Sequence, residues 1–257
     1  MNQFKRIVEI GCLLFWLVLC LSCNSESASD CFQSAGDLVR VEVEVEEFSQ
    51  ITVFELLNLV LIEGDEHKVE IETGEFLLND IKATVEGERL LLRNENGCNL
   101  FRDYELSTVY VTSPNITEIR SSTGLLVSNI GALTYPSLDL ISESFFVPEA
   151  ETTSGSFNLT LDNESVSIVV NGISFFNLSG RTQNLGITVA AGDTRIQAES
   201  LEAGTVTINH RGSNDILVNP QERIAGTIRG YGNVISFNRP EVIAVDETFE
   251  GRLIFRD

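Results

Sequence analysis

Glycines recur at a fixed step of twenty residues, at Gly172, Gly192, Gly212 and Gly232, and each is followed a few positions later by an apolar pair separated by one residue. The pairs are Phe176/Leu178, Ile196/Ala198, Ile216/Val218 and Ile235/Phe237. Side chains alternate faces along a strand, so both members of a pair point the same way. A second series precedes the glycines at nearly the same step: Ile168/Val170, Ile187/Val189, Val206/Ile208 and, less cleanly, Gly226/Ile228. Two strands per repeat in register predict a solenoid of coils about twenty residues long, with the glycines at its corners and the pairs stacked into one core.

Before the regular region the rhythm is looser. Val39, Val41, Val43 and Val45 alternate with charged residues, as in a strand with one buried and one solvated face. Short apolar alternations follow at Ile51/Val53, Leu59/Leu61, Val69/Ile71, Leu90/Leu92 and Val109/Val111, divided by turn dipeptides such as Glu86-Gly87 and Asn96-Gly97. Only Glu75 to Ile81 offers helical spacing, enough for a turn or two. Val242 to Asp257 breaks the period, and is expected to cap the last coil. Roughly eleven coils are expected in a single domain over residues 37–257. A β-sandwich also suits many short strands, but leaves the fixed step unexplained.

The first residues have a different character. Lys5 and Arg6 precede an apolar run from Ile10 to Leu21, too short to span a bilayer, so residues 1–22 read as an export signal. Ser22 before Cys23 is similar to a bacterial lipobox, in which the cysteine becomes the lipidated N-terminus; an ordinary signal peptide is the alternative. Residues 23–36 are then a flexible tether from membrane to fold. Cys31 and Cys98 remain as an even pair in an exported chain, and are expected to form one disulfide, two free thiols being the alternative.

Asp and Glu number 38 against 17 Lys and Arg, a net charge of −21, which repels nucleic acid. No catalytic, cofactor or metal-binding motif is present. The candidate ligand surface is a polar group, His210, Arg211, Asn214 and Asp215, together with the adjacent pairs Phe145/Phe146 and Phe175/Phe176. One member of each phenylalanine pair must face outward. The plain reading of the polar group is hydrogen-bonded turn chemistry. Glycan or envelope protein is the partner such a surface suits, with a carbohydrate-active enzyme or a purely structural component as alternatives.

The layout resembles a known family. Glu47-Phe48-Ser49-Gln50-Ile51-Thr52-Val53, the Val69-Glu70-Ile71 strand, the Leu78-Asn79-Asp80-Ile81 corner, and Val109 to Ile116 leading through Ser121-Ser122-Thr123-Gly124 are similar to exported proteins of the putative auto-transporter adhesin, head GIN domain family. The resemblance spans about Gly36 to Pro240. It implies a right-handed, single-stranded parallel β-helix, and carries over no catalytic residue.

Overall fold

The computed structural model describes residues 33–54, 56–97, 106–143 and 153–256. Cys23, Cys31, Cys98, Phe145 and Phe146 lie outside them. The strands run β1 (Leu38–Val43), β2 (Gln50–Val53), β3 (Asn58–Glu63), β4 (Lys68–Gly74), β5 (Ile81–Glu86), β6 (Arg89–Asn94), β7 (Thr108–Ser113), β8 (Glu118–Ser121), β9 (Leu126–Ile130), β10 (Ser137–Ser142), β11 (Gly155–Val170), β12 (Ser174–Val189), β13 (Arg195–His210), β14 (Ile216–Ile228), β15 (Val234–Ser236), β16 (Val242–Glu247) and β17 (Leu253–Phe255). Between β4 and β5 the short helical spacing yields one 3₁₀ turn, Leu78–Asp80.

Parallel pairing stacks these strands into two walls. In the first, Val109, Leu59, Val127, Phe157, Phe176, Ile196, Ile216, Val234 and Leu253 lie one above another. Every member from Val109 to Val234 is shielded from solvent. The second wall stacks Leu90, Ile51, Ile119, Leu140, Ile168, Ile187, Ile208, Gly226 and Val245. β11, β12, β13 and β14 are long enough to serve both walls, turning the corner between them. Phe157 and Phe176 stack face to face with centroids 4.6 Å apart. Each buried Leu, Ile or Phe contributes about 1.5–3 kcal/mol, so the repeated pairs hold the layers together.

The stack is nine strands deep, not eleven, because the first third of the chain does not coil in sequence order. β2 lies between β6 and β8, and β3 between β7 and β9. The chain lays down this layer first, leaves to build the layer beyond it, then returns on the opposite side. Residues in between form antiparallel pairs: β5 on β6, β4 on β7, and β1 on β4. These close the first end of the stack. β1 is an edge strand, with Val41 exposed, so the buried face expected of the valine run is only half realised.

Two further expectations need correction. Ile235/Phe237 is not the core pair of its coil: Val234 stands over Ile216 and Ser236 over Val218, one position earlier, because this step is eighteen residues. Val242 to Phe255 covers the coil before it, as expected, but keeps the period where a break was expected. β16 and β17 continue both walls in parallel as the final layer, each with one neighbour among the described residues.

Corners are held by main chain. Gly172 O accepts from Asp193 N (3.1 Å), Gly192 O from Ser213 N (3.2 Å), Gly212 O from Gly232 N (3.1 Å) and Gly230 O from Gly251 N (3.0 Å). At Gly192 a Cβ would sit 2.3 Å from Gly172 O, and φ is +92°, a region that other residues rarely adopt. Glycine recurs at this corner because successive layers of backbone leave no room for a side chain.

Candidate functional site

Register decides which phenylalanine faces out. Phe176 pairs with Phe157 and Ile196 in the core, so Phe175 is on the outer surface beside Ser156 and Arg195. Phe175 is 36 % exposed and Phe176 fully buried. The residue before each core-facing member therefore builds one outer column: Leu126, Ser156, Phe175 and Arg195, with Asp215 next above.

Two hollows open along this column. One, of about 400 Å³, is lined by Gly124, Ser154–Ser156, Ile173, Ser174, Phe175, Asp193, Arg195 and Asn214. The other, of about 350 Å³, is lined by Arg195, Gln197, Ser213, Asn214, Asp215 and Leu217. They share Arg195 and Asn214, and so form one trough crossing several layers. Its apolar floor comes from Phe175 and from Ile173, which is 69 % exposed. Its acids are committed to the fold: Asp215 Oδ1 accepts from Asn233 N (2.8 Å) and Nδ2 (3.0 Å), Asn214 Nδ2 donates to Asp193 O (2.6 Å), and Ser213 Oγ pairs with Asp193 Oδ1. Arg195 has no ion-pair partner among the described residues, although the chain carries more than twice as many acids as bases. A planar aromatic face beside an unengaged guanidinium and an amide suits a ligand with apolar faces and acceptor oxygens.

His210 belongs elsewhere. It is fully buried, because it stands in an interior column with Val170, Val189 and Ile228. It is therefore not part of a ligand surface. Its Nδ1 accepts from Gly212 N (3.3 Å), and the ring lies against Gly232, where a Cβ would come within 2.6 Å of Nε2. Burial pushes the imidazole below its ordinary pKa, keeping it neutral. Gly232 thus makes space for a histidine as well as for backbone. Arg211 is exposed but does not line the trough. Of the polar group, Asn214 and Asp215 reach the site; Arg195, Ile173 and Gln197 are additions that single-sequence reasoning missed.

Other polar clusters are structural. Arg120 Nη1 donates to Glu143 Oε1 (2.7 Å) and to Glu143 O (3.0 Å), with both side chains buried. Breaking such a pair strands a buried charge. Arg181 grips Asp162 through two 2.7 Å bonds one layer apart, on the open surface. His67 is half-buried, its ring edge-on to Phe48 at 4.9 Å, beside a hollow of about 340 Å³ that also includes Glu47, Glu88 and Asn115. No group of three His, Cys, Asp or Glu among the described residues is arranged to hold a metal.

Three crystal structures share the fold. A putative adhesin from Bacteroides fragilis NCTC 9343 superposes with a TM-score of 0.75 at 20% identity, covering 86% of this chain and 97% of its own. A putative adhesin from Parabacteroides distasonis ATCC 8503 gives 0.60 at 14% identity, over 86% and 98%. A putative lipid binding protein from the same strain gives 0.59 at 14%, over 86% and 98%. No curated protein sequence matches. A family profile matches residues 47–240, running from Glu47 before β2 to Pro240 before the last layer, and on that match the chain belongs to the family described as "Putative auto-transporter adhesin, head GIN domain".

Proposed function

We propose that this protein is exported to the bacterial cell envelope, anchored there by lipid on Cys23, and works by binding glycan or protein along the trough of Phe175, Arg195 and Asn214. The chain is read as a right-handed parallel β-helix, residues 37–257, on a tether of residues 23–36. The observation that carries the reading is Arg195, an unpaired cation beside an exposed aromatic on a strongly acidic protein. Catalysis by the trough acids is the weaker reading, since Asp193 and Asp215 are engaged in bonds between layers. A Cys31–Cys98 disulfide fits the hydrogen bond from Asn96 Nδ2 to Gln33 Oε1 (2.9 Å), which joins positions two residues from each cysteine.

The test is a panel of glycans and envelope fractions, with product analysis on every bound component. Phe175→Ala and Arg195→Gln are each expected to weaken binding about tenfold or more while leaving the circular dichroism spectrum unchanged. Binding indifferent to both substitutions, or accumulation of cleaved product, would overturn the assignment. Cys23→Ala is expected to release the protein from membranes.

A further inference from the structure

Lysine is absent after Lys82, and beyond Gly180 eight arginines stand against ten acids, so this part of the chain escapes the acidity of the rest. Four of the eight are engaged: Arg181 with Asp162, Arg252 with Glu247, Arg239 over the Phe255 ring at 4.0 Å and Arg256 over Phe237 at 6.0 Å. Of the other four, three flank the same glycine corner. Arg195 stands on the trough side. Arg211 and Arg229 stand on the opposite flank, directly before Gly212 and Gly230. Arg211 N donates to Val189 O (2.9 Å) and Arg229 N to His210 O (2.7 Å), which puts the two in one outer column a single layer apart. Both are exposed, and neither has an ion-pair partner among the described residues. Like charges set side by side repel. The nearby acids bring no relief: Asp193 is bonded to Ser213 and Asp215 to Asn233, while Asp246 and Glu250, in the last layer, form no ion pair among the described residues. Tyr231, between Gly230 and Gly232, rises from the corner itself; it is 63% exposed and meets Phe249 of the next layer edge-on at 5.0 Å.

We propose that Arg211 and Arg229 form an anion subsite, and that the ligand is an acidic glycan whose carboxylate- or sulfate-bearing sugars cross the corner between this pair and Arg195. The inference rests on the reading of the trough as a binding surface, and narrows it to one chemistry. An anionic group set between two guanidinium forks removes their repulsion and accepts from donors that the fold leaves open. The span is short. Four residues lead from Arg211 to Asp215, at most about 14 Å of backbone, and Asp215 stands one layer from Arg195. A few linked sugars cover that distance. Phe175 on one flank and Tyr231 on the ridge present flat faces to sugar rings, and Asn214 an amide to their hydroxyls. A protein partner fits less well, because specific protein interfaces bury at least about 1,200 Å² on broad, well-packed patches, and the corner is a narrow ridge.

The experiment is calorimetric titration of the full chain with two matched pairs: oligogalacturonates against their methyl esters, and sulfated against unsulfated chondroitin oligosaccharides. The more highly charged member of a pair is expected to bind about tenfold or more tightly. Arg211→Gln/Arg229→Gln should remove most of that preference, leaving the affinity for the methyl ester and the circular dichroism spectrum unchanged. Phe175→Ala should weaken both members alike. Equal binding of charged and uncharged forms would overturn the proposal, as would a preference that survives the double substitution, or tighter binding of an oligoglutamate, which marks a protein ligand instead. Binding of neither pair would overturn it as well. The trough reading falls separately, on indifference to Phe175→Ala and Arg195→Gln across the wider panel of glycans and envelope fractions.

Discussion

The two ends of the stack solve the same problem differently. At the first end β5, β4 and β1 turn antiparallel and extend the walls, burying Val69, Ile71 and Ile81. At the far end the chain completes a full parallel layer and leaves its inward residues partly in water. A parallel stack cannot end itself by repetition, since each added layer recreates the same uncovered edge. Breaking the repeat turns the outermost strands of one end across the walls, and keeping it leaves an inward residue of the other, Ile243, partly exposed.

Matched truncations separate the ends most sharply. Leu90→Ala, in the layer next to the antiparallel closure, is expected to cost about 2–5 kcal/mol, because a fully buried leucine leaves a cavity. Leu253→Ala, half-buried in the last layer, is expected to cost about 1 kcal/mol in dilute solution. Urea unfolding measures both. Equal costs for the two variants would erase the contrast.

Glycine corners provide a second, smaller comparison. Gly192→Ala should cost about 1–3 kcal/mol, since it combines positive φ with a Cβ driven into Gly172 O. Gly87, in the β5–β6 turn of the closed end, also has positive φ but open space around it, and Gly87→Ala should cost only about 1 kcal/mol. Thermal melts of the two variants would order them.

The smallest effect concerns acid. His210 is held neutral in the fold, with its pKa below the ordinary 6.5 that it regains on unfolding. Above that pH neither state binds the proton, and no stability depends on it. As pH falls below 6.5 the unfolded chain takes up a proton that the folded chain refuses, so stability declines by at most about 1.4 kcal/mol per pH unit. The decline ends once pH passes the folded pKa. His210→Gln should flatten this part of the profile, and an unchanged slope would show the ring to be free to ionise in place.

The regular region was legible in the sequence because its apolar pairs recur at nearly constant spacing, so Phe157, Phe176, Ile196 and Ile216 fall into line without coordinates. The first third was not, since alternation shows which face a residue takes but not which strand lies beside it. Nothing in Ile51/Val53 or Leu90/Leu92 reveals that β2 is inserted between β6 and β8. At the other end, the eighteen-residue step moved the core pair from Ile235/Phe237 to Val234/Ser236, a slip of one that reverses every side chain. Some of the site was readable. His210 follows Ile208 by two, just as Val189 follows Ile187, which puts it inside. Arg195 precedes Ile196 as Phe175 precedes Phe176, which puts both on one outer column.

The backbone corners have a consequence for how such a molecule can vary. A carbonyl of one layer meets a glycine of the next, and short polar side chains beside it, Thr194 on Gly172 O and Ser213 on Gly192 O, bond to the same carbonyls. A whole layer added between Gly192 and Gly212 asks of its neighbours only what they already give each other. The protein's reach can then be lengthened in increments of about 4.8 Å, leaving both termini as they are.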